Sequence, residues 1–402
     1  MVSRLKKGRN LDYLLLFAVC GLTLFGLIAV WATSITDAMK WSDGRFPLQF
    51  VTAQMMWTGV AGVAAFIAYK LGYRFLSQIS MGLMFITIAL LVIVFIAGRT
   101  AYGSSRWIEI GGFSLQPSEM LKPVMIIYLA RWLSSKGAKL HDKDAGLIPF
   151  VLMVGICVTL ILLQPNLSTA FILGAVALIM FLMAGADGKQ VAILIAGGFG
   201  LGLVVALLIP YQRDRILGHF FNSPGTAAAQ KEWLEQMAHS AGVFGQGLDG
   251  IQDFAGRFNG AHMDFIFGFI TYGFGVFTAL VVVAVFLFLG YRTVQIARKA
   301  PDDLGMLISV GIGSWLLIQA LIHIGVNIGV APITGLTLPF ISYGGNSLVA
   351  CLVGIGILLN VSKAGESREI KRNAVYAHGG RNRRPRLSGT HRRSGASRNR
   401  ER

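Results

Sequence analysis

The sequence predicts an all-α polytopic membrane protein of about ten transmembrane helices, and three observations predict it. Hydrophobic residues make up 54% of the 402 positions and charged ones only 14%. Mean hydropathy is +0.63, a balance no water-soluble domain of this size needs. The apolar residues gather in stretches of roughly 20, the length that carries a helix across a hydrocarbon core of about 30 Å.

In chain order the expected spans are Asp12 to Trp31, Phe50 to Tyr69, Ile79 to Ala97, Pro117 to Leu133, Gly146 to Leu163 and Leu167 to Ala184, followed by Val191 to Ile209, Phe265 to Leu289, Leu304 to Val330 and Phe340 to Val361. Positively charged segments are retained in the cytoplasm, so Lys and Arg orient the bundle. With the N-terminus inside, 26 of the 36 Lys and Arg fall on the cytoplasmic side and 8 on the other. Both termini are therefore expected in the cytoplasm, with one large extracytoplasmic loop, residues 210–262, between spans seven and eight.

Residues 1–11 read as a cytoplasmic leader. Arg4, Lys6, Lys7 and Arg9 imitate the front of a signal peptide, but no small-x-small cleavage site precedes Trp31, which predicts an uncleaved anchor. Cys20, Cys157 and Cys351 fall inside spans and offer neither a disulfide framework nor metal-ligand spacing. In the large loop, Ala227 to Ala238 has helical periodicity and predicts a short interfacial helix.

Residues 364–402 change composition and read as a disordered basic cytoplasmic tail outside the helical domain of residues 12–363. From Ser362 onward, 13 Lys and Arg face only Glu366, Glu369 and Glu401. Such a segment is attracted to anionic lipid headgroups by about 1 kcal/mol per basic residue near the surface. Interleaved aromatics are missing apart from Tyr376, so no nucleic-acid partner is expected. No internal repeat is evident, which argues weakly against a carrier built from inverted halves.

Four outward segments are unusually polar. Arg106 to Lys122 carries Arg106, Trp107, Glu119 and Lys122 into span four; Pro117 suits a first helical turn and Glu119 the positive end of the helix dipole. Glu119 and Lys122, three apart, share a helix face, as a mutually neutralising pair or as direct ligand contacts. Gln164 to Thr169 reads as a tight turn. The large loop carries Arg213, Arg215 and Arg257 and ends at His262 and Asp264, where an acid meets an apolar span. Ionisable groups at bilayer depth are costly and usually line a cavity or mark a functional site. Gly335 to Ser347, holding Ser342 and Tyr343, interrupts an apolar run with Pro339 and Gly344-Gly345; irregular backbone at such depth is tolerated where it lines a cavity or is buried in protein. An acid among guanidinium groups suits a substrate with a hydroxyl to deprotonate and an anionic group to neutralise, such as a lipid-linked phosphate.

Five segments, in order, carry a resemblance: Arg106-Trp107 with Gln116-Pro-Ser-Glu119, Gly242-Val-Phe-Gly-Gln-Gly-Leu248, Ala261-His-Met-Asp-Phe-Ile-Phe267, Asn327-Ile-Gly329 and Leu336-Thr-Leu-Pro-Phe-Ile-Ser-Tyr-Gly-Gly345. Over roughly residues 11 to 363 the chain resembles the SEDS family, comprising FtsW, RodA and their sporulation relatives. The resemblance implies a peptidoglycan glycosyltransferase that polymerises lipid II on the outer face of the bacterial cytoplasmic membrane. Asp264 would be the catalytic general base, and Arg215, then Arg106, would stabilise the departing pyrophosphate. Trp107, Glu119, Lys122, His262, Ser342 and Tyr343 would contact substrate. No cofactor is certain; a divalent cation, Mg or Mn, would be an alternative source of charge stabilisation, with ligands unknown.

Implied partners are lipid II, a class B penicillin-binding protein with transpeptidase activity, and other division or elongation membrane proteins. The long tail inclines the reading toward an FtsW-like division enzyme at the septum. A RodA-like elongation polymerase is the near alternative, and a lipid II carrier or a non-catalytic scaffold is the alternative of another class. The chain departs from the family's common pattern at Ala53, at Asn166, at Asn259-Gly260, where Pro-Glu is usual, and at Tyr272-Gly273, where an acidic pair is usual.

Overall fold

A computed structural model describes residues 11–41, 48–97, 99–101, 104–110, 113–221, 226–255, 258 and 260–379. In chain order they form α1 (Tyr13–Trp41), α2 (Gln49–Leu71), α3 (Tyr73–Ala97), β1 (Arg99–Ala101), β2 (Ser104–Ile110), β3 (Phe113–Leu115), α4 (Pro117–Lys136), α5 (Ile148–Leu162), α6 (Leu167–Met183) and α7 (Gly188–Leu208). There follow α8 (Pro210–Phe221), α9 (Thr226–Ser240), α10 (Gly247–Ala255), α11 (Ile266–Lys299), α12 (Asp303–Asn327) and α13 (Gly345–Gly379).

Among the described residues, eight helical stretches are long and apolar enough to cross a membrane: α1, α2, α3, Lys143–Leu162 with α5, α7, α11, α12 and α13 through Glu366. The other two expected spans coincide with α6, which is short for a span, and with α4, whose Glu119, Lys122, Arg131 and Lys136 lower its hydropathy. Span ten starts at Gly345 rather than Phe340. Residues 338–344 form an irregular turn in which Phe340 sits at φ 68°, a left-handed conformation rare for a large side chain. The expected disordered tail from residue 364 is helical as far as Gly379; residues 380–402 lie outside the described set, as does nearly all of the leader.

The all-helical bundle carries one small sheet that hydropathy did not anticipate. β1, β2 and β3 form an antiparallel meander in which Arg99 faces Trp107 and Ile108 faces Leu115. It fills the connection from α3 to α4 and places Arg106 and Trp107 on its central strand.

The large loop is folded. Helix α9 covers the predicted Ala227 to Ala238 segment, with α8 and α10 on either side in sequence. Leu234, Met237, Ile251, Phe254 and Phe258 build a core with Phe265 and Phe269. Phe258 is its hub, with ring centroids 5.3 Å from Trp233, 4.9 Å from Phe265 and 5.4 Å from Phe269. The residues following Asp264 are thus anchored to the loop by aromatic packing.

Helix α11 is broken at Gly275, where φ is 91° and ψ 162°. The backbone of 242–246 crosses the break: Gln246 N donates to Tyr272 O at 2.9 Å, and Val276 N to Gly242 O at 3.1 Å. A Cβ on Gly245 would stand 2.2 Å from Gly273 O, and one on Gly275 would stand 2.2 Å from Val243 O. Main chain on main chain explains Gly245, while Gly242 and Gly247 take left-handed φ of 67° and 78°. The Tyr272-Gly273 departure is packed against α10. The Tyr272 ring lies 5.0 Å from the Phe254 ring, and a Cβ at 273 would stand 2.0 Å from Ile251 Cδ1, so any side chain there would have to displace Ile251.

Candidate functional site

The turn that carries Asp264 is set by its own backbone. Gly260, at φ 78°, reverses the chain, and its carbonyl accepts from Met263 N at 2.9 Å and Asp264 N at 3.2 Å. Asp264 is half-buried at the entry to α11. Burial pushes its carboxyl up to about 7, with the positive charges of Arg215 on α8 and Arg106 on β2 partly opposing that rise. A carboxyl so placed exchanges its proton near neutral pH, the behaviour a general base needs.

Arg106 ties two of the polar segments together. Its Nε donates to Gln164 O at 3.2 Å and its Nη2 to Pro165 O. Gln164 Nε2 donates in turn to Leu91 O at 3.0 Å, and Gln212 Nε2 to Pro165 O at 3.3 Å. The turn therefore serves as a carbonyl cradle for the guanidinium. Asn166 caps α6, accepting from Thr169 N at 3.3 Å. Trp107, next on β2, is half-buried. Arg213 is exposed beside Asp214, 3.7 Å away; Arg257 and Asn259 lie outside the described residues.

Several expected substrate contacts are spoken for by the protein. Lys122 is fully buried, its Nζ donating to Glu119 Oε1 at 2.6 Å and to Gln319 Oε1 at 3.0 Å. Trp315 Nε1 donates to the same Gln319 oxygen at 2.8 Å. Through Gln319 the Glu119–Lys122 pair pins α4 to α12, the arrangement of a mutually neutralising pair. Ser342 is buried too: its hydroxyl accepts from Leu338 N and donates to Met263 O, both at 2.8 Å. It fastens the 338–344 turn to the Asp264 turn. His262 is buried with its ring 4.4 Å from Phe50 and 5.3 Å from Tyr343, so it packs as a wall. Tyr343 alone of this group is half-buried.

Sequence reading missed Gln54 and one edge of α12. Gln54 Nε2 donates to Ser342 O at 3.2 Å and its Oε1 accepts from Gly344 N at 3.3 Å, anchoring the irregular turn to α2. Gln319, His323 and Asn327 are all buried. Their four-residue spacing was the available signal, since it stacks three polar side chains on one face of an apolar helix.

Among the described residues, no group of three or more His, Cys, Asp or Glu could hold a metal ion.

The family described as "Cell cycle protein", that of FtsW, RodA and SpoVE, matches residues 13–367. The chain belongs to this family. It is 34% identical to the probable peptidoglycan glycosyltransferase FtsW of Bacillus subtilis, across 89% of this chain and 92% of that one. The stage V sporulation protein E of the same organism is also 34% identical, across 89% and 98%. Among solved structures, a chain from a study of "structural coordination of polymerization and crosslinking by a peptidoglycan synthase complex" superposes with a TM-score of 0.72 at 26% identity, covering 88% of this chain and 98% of that one. The rod shape determining protein RodA of Thermus thermophilus shares the fold, with a TM-score of 0.66 at 24% identity and coverage of 88% and 97%. A multi-pass membrane protein of the FtsW, RodA and SpoVE family is thus established by sequence and fold together.

Proposed function

We propose that this chain is a peptidoglycan glycosyltransferase that polymerises lipid II at the outer face of the bacterial cytoplasmic membrane during cell division. The observation that carries the reading is Asp264, a half-buried acid whose carboxyl is raised to about 7 and whose nearest opposing charges are Arg215 and Arg106. Asp264 takes the proton from the acceptor sugar hydroxyl as that oxygen attacks the anomeric carbon of the donor. The new glycosidic C–O bond forms while the anomeric carbon's bond to pyrophosphate breaks, and the leaving group departs with the electron pair. Arg215 and Arg106 offset the negative charge that develops on it. Arg106 suits this task because two main-chain carbonyls hold its guanidinium in place.

The names of the relatives support a division role over elongation, and a division role suits a protein acting at the septum. A class B penicillin-binding protein is the expected partner, because a structural neighbour comes from a complex that couples polymerisation to crosslinking. The described tail helix and the basic residues beyond it suit contact with anionic headgroups or cytoplasmic partners.

The test is to purify the full chain with its transpeptidase partner, supply labelled lipid II, and compare wild type with Asp264→Ala. The reading predicts glycan polymer from the wild type and none from the variant. Lipid II translocation in vesicles that survives Asp264→Ala, with no polymer from either protein, would support a carrier instead.

A further inference from the structure

The Asp264 carboxyl, carried by segment 263–268, stands beside a segment far away in sequence, 335–337. A Cβ on Gly335 would stand 3.9 Å from Asp264 Oδ2, so the second segment runs past the acid. Both are fixed to the same edge of α12. Gln319 Nε2 donates to Thr337 O at 2.9 Å, and His323 Nδ1 lies 2.7 Å from Leu336 O. One turn further on, Asn327 Nδ2 donates to Asp264 O at 3.1 Å and to His323 O at 2.8 Å, while Asn327 Oδ1 accepts from Gly268 N at 2.9 Å.

The last contact solves a local problem. The first backbone N–H groups of a helix have no partner within it, and a polar residue just before the helix usually supplies one. Here that position is Phe265, which makes no side-chain cap. Asn327 reaches over from α12 and caps the third residue of α11, while its amide nitrogen holds the carbonyl of Asp264 itself. No other side chain of this size offers a donor and an acceptor on one rigid plane: Asp cannot donate, Leu can do neither, and Gln is a methylene longer. With Asn327 only 2% exposed, a lost partner here is not replaced by bulk water.

We propose that Asn327 is a positioning residue for glycosyl transfer, holding the Asp264 turn and the start of α11 in register with the 335–337 segment on a common edge of α12. The inference rests on Asp264 being the general base. Asn327 touches no reacting atom; it acts by fixing where the carboxyl stands.

Two variants test this from opposite sides of the bond. Asn327→Asp keeps an acceptor for Gly268 N but sets a carboxylate oxygen against the Asp264 carbonyl. Gly268→Ala leaves Asn327 intact and puts a methyl 3.2 Å from Asn327 Oδ1 and 3.0 Å from Leu234 Cδ2. Polymer formation from labelled lipid II is measured on the full chain with its transpeptidase partner, separating kcat from KM and following thermal unfolding alongside wild type and Asp264→Ala. Asn327→Asp is expected to lower kcat on the order of a hundredfold, the scale for a catalytic group displaced by about 1 Å. KM should stay within about twofold, because ground-state binding is untouched. Gly268→Ala should lower kcat in the same sense, by less.

A kcat loss that merely tracks the loss of folded protein, or a rise in KM with kcat kept, overturns the positioning role. If Asn327→Asp does not fold, Gly268→Ala decides, and wild-type kcat in that folded variant overturns it. Active wild type and inactive Asp264→Ala beside a normal Asn327→Asp defeat this inference alone. Inactive wild type, or full activity in Asp264→Ala, defeats the glycosyltransferase reading and this inference with it.

Discussion

Glu119 and Asp264 are both acids at the ends of apolar helices, and the structure treats them oppositely. Glu119 bonds Lys122 at 2.6 Å, deep in the bundle where Lys122 has no exposed surface. Asp264 is half-buried, and the two arginines that act on it leave its carboxyl raised. A charge neutralised inside the protein stabilises an arrangement, whereas one left only half-buried is ready for chemistry. Polarity at an expensive position therefore marks importance, and the partner decides which kind.

The comparison breaks first at Asp264. Replacing it with Asn should lower turnover by about 10²–10⁴, the range for losing a general base, while the protein folds normally. The folded chain holds the Asp264 proton more tightly than an unfolded one, so the stabilisation from that proton is present at low pH and lost as pH rises through about 7. Asn, which never ionises, should therefore raise the unfolding temperature more at pH 8 than at pH 5.

Lys122 should behave in the reverse way. Lys122→Met leaves a buried carboxylate without its cation and should destabilise the protein by about 3–5 kcal/mol. Adding Glu119→Gln should recover most of that loss in thermal melts. A single variant as stable as wild type would show that the pair is not holding α4 to α12.

Arg106 lies between the two cases, being held by the protein and acting on the acid. Arg106→Ala should cut kcat/KM by about tenfold or somewhat more, the scale of one hydrogen bond from a charged group, with a smaller effect on melting. The smallest effect is expected at Asn166, whose replacement by Ala removes the α6 cap and should cost about 1 kcal/mol of stability, leaving polymerisation per folded molecule unchanged.

The spans were legible because hydrocarbon thickness imposes a length on any helix that crosses it. Asp264 was legible because an acid beside such a span is costly. The β1 to β3 meander was not, since its short strands carry no sustained alternation. The break in α11 was hidden because Gly275 lies in a predominantly apolar run, and the crossing backbone at 242–246 accounts for it. The bonds that Ser342 and Lys122 make inside the protein were not legible, because a sequence shows that a residue is polar, not whether a carbonyl or a neighbouring charge meets it. Asn327 stood in a recognisable motif, but its partners are 63 and 59 residues away, beyond what local spacing reveals.

The most direct test of Asp264 as general base is the pH dependence of polymerisation. Its carboxyl is raised to about 7 by burial against the opposing charges of Arg215 and Arg106. For wild type, kcat/KM should be level above about pH 7 and fall about tenfold per unit below it, as the base takes up its proton. A rate unchanged from about pH 5.5 to 8.5, or an Asp264→Asn protein that polymerises as fast as wild type, would contradict the account.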